Sequence, residues 1–180
     1  MTVPNLITTI RIILAPVFVI YLINDRFLPA LILFLLCALS DGLDGMLARL
    51  MNQRSKLGAY LDPIADKLLL VAAFVTLSVT GHLPAWLTVL VFSRDIMILL
   101  GVIVLSLNRM EFMVKPSAVS KVTTWLQFIT IVAVLSQGYL SDFAQFYPYI
   151  FYLTALLTIT SGLHYMYYWF RMMGEGSGER

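Results

Sequence analysis

Charge is what this sequence has least of. Its 180 residues include 12 lysines and arginines and 10 acids, 12% of the chain, about half of the roughly 25% that a soluble domain carries. An ordinary water-facing surface is thereby excluded, and the 60% of residues that are hydrophobic must face something other than water. Cysteine is nearly absent too. The single Cys37 lies inside an apolar run, which rules out a disulfide framework within the chain and leaves it as a small packing residue. Of the two histidines, His82 reads as a loop residue and His164 as a packed, hydrogen-bonded one; neither is given a role. The opening Met1-Thr2-Val3-Pro4-Asn5 lacks the basic segment of a secretory signal, so the first helix is expected to be retained. A net charge of +2 is too small to suggest a nucleic-acid partner, and no internal repeat is visible.

What is present is a series of long apolar runs. A membrane-crossing helix needs about 20 mostly apolar residues, and the pattern predicts six of them: about Asn5 to Asn24 with Asn5 as cap, Phe27 to Met51, Leu57 to Thr80 with Gly81 as stop, Pro84 to Leu107, Val119 to Leu140, and Tyr147 to Met172. The expected fold is all-α and polytopic, one transmembrane domain over residues 1–173. A polar, glycine-rich tail over residues 174–180 is expected to be disordered. Six crossings put both termini on one side. That side carries Arg49, Arg54, Lys56, Arg109, Lys115, Lys121, Arg171 and Arg180, and the other only Arg26. The positive-inside rule then places both termini in the cytoplasm. Tyr147 and Tyr149 at one end of the last helix, and Tyr167, Tyr168 and Trp169 at the other, are expected to anchor it at the two interfaces.

Five acids fall inside these predicted spans: Asp41, Asp44, Asp62, Asp66 and Asp95. A carboxylate in hydrocarbon costs at least about 2.5–3.5 kcal/mol, so something must neutralise it. Asp41 and Asp44 are spaced i,i+3 and Asp62 and Asp66 i,i+4, each pair on one helix face. A hairpin folded about residue 53 brings Asp44 beside Asp62 and Asp41 beside Asp66, at matching depths. Four converging carboxylates repel one another unless cations lie between them or some are protonated. An all-oxygen set with no nearby histidine or cysteine selects a hard cation, Mg²⁺ or Mn²⁺, over zinc. Two such ions suit phosphoryl chemistry, because they stabilise both entering and leaving oxygens. Gly42, Gly45 and Ala48 leave one side of the second helix nearly bare, and Gly58 does the same at the mouth of the third. Small residues of this kind serve close helix packing or admit a ligand.

The run Asp41-x-x-Asp44-Gly45-x-x-Ala48-Arg49, then eight residues, then Gly58-x-x-x-Asp62-x-x-x-Asp66 resembles the signature of the CDP-alcohol phosphotransferase family, with all eight positions filled at the family's spacing. Pro4-Asn5-x-x-Thr8-x-x-Arg11 followed by Pro16, Asp62-Pro63-x-x-Asp66-Lys67, Arg94-Asp95, and Lys115-Pro116-Ser117-x-x-Ser120-Lys121 look like the phosphatidylglycerolphosphate synthase and eukaryotic-type cardiolipin synthase branch. The resemblance implies a dimeric enzyme of six spanning helices that transfers a phosphatidyl group from CDP-diacylglycerol to an alcohol and releases CMP. It implies Asp41, Asp44 and Asp62 as metal ligands, and Asp66 as a further ligand and general base. Gly45, Ala48 and Gly58 would make room for the CDP moiety. Arg49 would steady the site or the diphosphate, and Asn5, Thr8 and Arg11 would close over the nucleotide. Arg94, with Lys115 and Lys121, would form the anionic pocket for the acceptor.

Plainer readings stand beside these. The four aspartates by themselves also suit an ion pathway, but a transporter calls for polar groups along the whole path and often repeat symmetry, whereas this chain is polar at one end. Asn5, Thr8 and Arg11 also fit a capped interfacial helix with a snorkelling arginine. Arg94 and Asp95 also fit a buried structural ion pair, Lys67 a partner of a neighbouring aspartate, and Lys115 and Lys121 ordinary positive-inside charges. The leading acceptor is glycerol-3-phosphate. Phosphatidylglycerol is the alternative, favoured by the Lys115–Lys121 segment with Thr123, Thr124 and Gln127 after it. The expected setting is a bacterial inner membrane with the site facing the cytoplasm.

Overall fold

The computed structural model of the chain describes residues 3–50, 56–107, 118–139 and 145–176, with side chains described for residues 10–40, 67–101, 118–139 and 145–169. Six α-helices and no strand occur among the described residues: α1 Val3–Ile23, α2 Phe27–Leu50, α3 Lys56–Val79, α4 Ala85–Leu107, α5 Ala118–Leu135 and α6 Tyr147–Gly176. All six expected helices are therefore present, and the differences are at their ends.

α1 begins at Val3, so Asn5 lies inside its first turn and is not the cap. Pro4 fits that turn because its missing N–H is one the helix leaves unpaired there anyway. α5 ends at Leu135, short of the expected Leu140. The chain turns over Ser136, Gln137 and Gly138, where the Tyr139 N–H bonds the Ser136 carbonyl at 2.9 Å. α6 runs to Gly176, past the expected Met172, so three residues expected in the tail lie in its last turns. Propagating an existing helix gains a hydrogen bond for each residue fixed, which offsets the glycine penalty of about 1 kcal/mol. Residues 177–180 of the tail lie outside the described residues.

Two helices stop by the same device. At the end of α3 the Gly81 N–H bonds the Ser78 carbonyl and the His82 N–H bonds Leu77, with Gly81 at φ 82°. At the end of α1 the Asp25 N–H bonds Leu22 and the Arg26 N–H bonds Tyr21, with Asp25 at φ 54°. This paired 5→2 and 6→1 pattern requires a left-handed residue. Glycine adopts that conformation freely, and aspartate tolerates it better than most residues.

The chain divides into two compact units. The first comprises Met1–Leu83 with Ile131–Ala144, the second Pro84–Thr130 with Gln145–Arg180. In the first, α1 packs against both α2 and α3, and α2 meets α3. Ala15, Phe18 and Leu22 of α1 are buried, as are Ala30, Phe34 and Cys37 of α2 and Ala73, Phe74 and Leu77 of α3. Their i,i+3, i+4 and i+7 spacings mark one face of each helix. Phe18 and Phe34 stack with ring centroids 5.6 Å apart. In the second unit, α4 packs on α6, with Trp86 stacked on Tyr152 at 5.8 Å. A Cβ at Gly101 would fall inside the Trp169 ring, so glycine is required for that approach.

By length and composition, one helix among the described residues qualifies to cross a membrane, Ala118–Leu135. Ile10–Ile23, Phe27–Ser40 and Lys67–Val79 are shorter apolar stretches. Outward-facing leucine, isoleucine and valine side chains run along α1, α2, α4 and α6. One sequence expectation for the aromatic anchors is corrected: Tyr147 is buried. Trp169 is half-buried, its ring against Gly101. Tyr149, Tyr167 and Tyr168 are exposed. His164, expected to be packed, is exposed as well.

Candidate functional site

The acids of the signature lie on two touching helices. Asp41 and Asp44 belong to the last ten residues of α2, and Asp62 and Asp66 to the first eleven of α3. At 1.5 Å per residue, Asp44 is about 9 Å from the end of α2 and Asp62 about 9 Å from the start of α3; Asp41 and Asp66 are about 14–15 Å from those ends. Counted along the helices, these distances are equal pairwise. The side chains of Asp41, Asp44, Asp62 and Asp66 lie outside the described residues. So do those of Asn5, Thr8, Gly45, Ala48, Arg49, Gly58 and Lys115. Among the described residues no group of three histidine, cysteine, aspartate or glutamate side chains is placed to hold a metal. As a donor set, four carboxylates with no soft ligand among them fit a hard divalent cation.

Arg11, one turn beyond Thr8 on α1, is buried, 3% exposed. That is not the snorkelling arginine of the plainer reading, whose head would reach water. Lys67, next to Asp66, is exposed and has an interaction partner. Lys121, the second residue of the acceptor set that the structure describes, is exposed.

Arg94 is the most fully described member of the predicted site. It sits nine residues into α4, about 14 Å along the helix, and is 5% exposed. Its Nη1 donates to Asp95 Oδ1 at 2.7 Å. Its Nη2 donates to Ser120 Oγ at the start of α5 and to Ser161 Oγ of α6 at 3.0 Å. Its Nε donates to the same Ser161 oxygen at 3.3 Å. Three helices therefore meet on one guanidinium. A buried arginine is tolerated only when its charge is paired and its donors are satisfied.

From this cluster a polar seam runs between α5 and α6. Thr123 Oγ1 donates to its own helix at the Val119 carbonyl, 2.8 Å, and lies 3.1 Å from the Leu157 carbonyl across the seam. Further along, Thr130 and Thr154 bring their hydroxyl oxygens to 2.7 Å. Thr130 Oγ1 also lies 2.8 Å from the Leu126 carbonyl and Thr154 Oγ1 2.8 Å from the Ile150 carbonyl. Two hydroxyls hold two protons for these three contacts, so one of the three goes without at any moment. Thr158 donates to the Thr154 carbonyl at 2.7 Å. Gln127 lies on the same face of α5 and is buried, its Nε2 without a hydrogen-bond partner among the described residues.

Sequence reasoning named Arg94, Asp95, Ser120, Thr123 and Gln127 but passed over Thr130, Thr154, Thr158 and Ser161. The signal was there: Ser120, Thr123, Gln127 and Thr130 repeat at i,i+3,i+7,i+10, and Thr154, Thr158 and Ser161 at i,i+4,i+7. Both are helix-face spacings.

A helical chain with little charge, apolar outer faces and acids grouped on one helix pair is a membrane-associated protein. It belongs to the CDP-alcohol phosphatidyltransferase family, whose profile matches residues 1–165. The family is one of phospholipid-synthesising transferases that use divalent metal ions. The chain is 34% identical to human cardiolipin synthase (CMP-forming), over 93% of this chain and 61% of that protein. It is 36% identical to the CDP-diacylglycerol–glycerol-3-phosphate 3-phosphatidyltransferase of Aquifex aeolicus, over 74% and 75%. It is 30% identical to the protein of that name in Bacillus subtilis, over 90% and 92%. The chain thus spans about three-fifths of the length of the human relative.

Proposed function

We propose that this protein transfers the phosphatidyl group of CDP-diacylglycerol to glycerol-3-phosphate and releases CMP. The observation that carries this reading is the complete eight-position signature, on two helices in contact, inside a chain that matches the family over residues 1–165. Asp41, Asp44, Asp62 and Asp66 would hold two Mg²⁺ or Mn²⁺ ions, whose charge would offset that of the diphosphate and of the leaving CMP. Asp66 takes the proton of the acceptor hydroxyl. That oxygen forms a bond to the phosphorus bearing the diacylglycerol, and the bond from this phosphorus to the CMP oxygen breaks. Gly45, Ala48 and Gly58 leave space for the nucleotide. Asn5, Thr8 and Arg11 cover it, and Arg49 steadies the diphosphate. Arg94 with Lys115 and Lys121 receives the acceptor's phosphate, since arginine and lysine form charge-assisted hydrogen bonds to phosphate oxygens.

In this reading all six helices cross the cytoplasmic membrane of a bacterium with both termini inside, residues 1–173 act as one domain, and the protein works as a homodimer. The excess of lysine and arginine on one side of the six spans supports the orientation. The match to nearly the whole length of the B. subtilis relative supports the setting. Phosphatidylglycerol as acceptor is the second reading, favoured by the match of 93% of this chain to the human cardiolipin synthase. Purified protein given CDP-diacylglycerol, Mg²⁺ or Mn²⁺ and either acceptor is expected to release CMP with glycerol-3-phosphate. CMP release with phosphatidylglycerol alone would reassign the acceptor, and no CMP with any alcohol would overturn the reading.

A further inference from the structure

We infer that α6 positions the acceptor-binding arginine through Ser161, which holds the Arg94 head. The inference rests on the reading that Arg94 receives the acceptor's phosphate. Ser161 Oγ accepts from both Nε and Nη2 of Arg94, which fixes one whole edge of the planar fork and therefore its orientation. Asp95 fixes Nη1 from the neighbouring position on the same helix. A contact at one end only would let the long side chain swing. Held at both ends, the fork keeps one plane.

Ser161 is also suited chemically to a site that takes an anion. A hydroxyl that accepts from a guanidinium keeps its own proton to donate, and a phosphate oxygen arriving at Arg94 is an acceptor for it. A phosphate monoester and a phosphodiester both present such an oxygen. The holding contacts therefore serve glycerol-3-phosphate and phosphatidylglycerol alike, and each acceptor is tested separately.

The test is steady-state kinetics with each acceptor on Arg94→Gln, Ser161→Ala, Ser161→Cys and Ser161→Thr, varying the acceptor and CDP-diacylglycerol in turn. Loss of a hydrogen bond to a charged group corresponds to about tenfold. We expect Ser161→Ala and Ser161→Cys to raise the acceptor KM by about that factor with little change in kcat or in the KM for CDP-diacylglycerol. Ser161→Thr, which keeps the hydroxyl, retains most of the parent behaviour. Ser161→Cys, near the volume of serine, gives the readout if Ser161→Ala does not fold. A raised acceptor KM in Arg94→Gln with none in the Ser161 variants would overturn the positioning role and leave the reading of Arg94 standing. An unchanged acceptor KM in Arg94→Gln would remove that reading, and the inference with it. Equal losses against both substrates, tracking a lower melting temperature and not recovered by threonine, would make the contact structural and overturn the inference.

Discussion

Between α1 and α2 the buried contact is Phe18 stacked on Phe34 with Ala15 and Ala30 beside them. Between α5 and α6 it is Thr130 against Thr154, with Thr123, Thr158 and Ser161 along the same line. The first unit stacks rings and buries small residues, and the second joins hydroxyls to hydroxyls and carbonyls. In lipid the hydrophobic effect does not draw helices together, so association depends on close packing and on hydrogen bonds between helices. The α1–α2 contact shows the first of these and the α5–α6 contact the second. The difference matches their proposed tasks. The first carries the acids of the signature, whose chemistry needs a rigid backbone beneath them. The second has to keep an arginine charged and oriented away from water, and only polar neighbours do that.

The largest expected effect concerns the division of labour itself. Asp66→Asn should lower CMP release about a thousandfold, the range of a lost general base, while the protein still folds; activity near that of the parent would take the chemistry away from the first unit. Next comes the packing contact. Phe34→Ala should destabilise the protein by about 2–3 kcal/mol, because the cavity and lost dispersion contacts remain even where transfer from water does not contribute. Unfolding in detergent measures it, and a change below that of the threonine variant would invert the comparison. Gly101→Ala puts a methyl where the Trp169 ring lies and should cost about 1–2 kcal/mol as the indole is displaced; Trp169 fluorescence should shift with it. The smallest effect is on the seam. Thr130→Val should cost about 0.6 kcal/mol, the average for hydrogen bonds between membrane helices, because the Thr154 hydroxyl still has the Ile150 carbonyl as acceptor.

Helix number and the order of the elements were legible in the residues, since long apolar runs broken by Gly81, Pro84 and short polar links leave little choice. That the four signature aspartates belong to two helices in contact was legible too, because their spacing falls within two successive apolar runs. Ends were harder to read. Asp25 takes a left-handed conformation usually given to glycine, and α6 runs through Gly174 and Gly176, because local preferences of about 1 kcal/mol yield to helix propagation and tertiary contacts. The Arg94 site was half legible: an arginine in an apolar helix signals that partners exist, but Ser161 is 67 positions away, and spacing along a chain carries no information about a partner on another helix.

The sequence by itself determined that the chain is helical and apolar on its outer faces, and that its acids fall at matched positions on neighbouring helices. These follow from periodicity and rise, which act over a few residues. Which hydroxyl receives the Arg94 guanidinium, which glycine admits the Trp169 ring, and which helices share a polar seam were decided only by tertiary structure. Those outcomes depend on where separate helices come to lie against each other, and a one-residue rotation of α6 would bring a different side chain to Arg94.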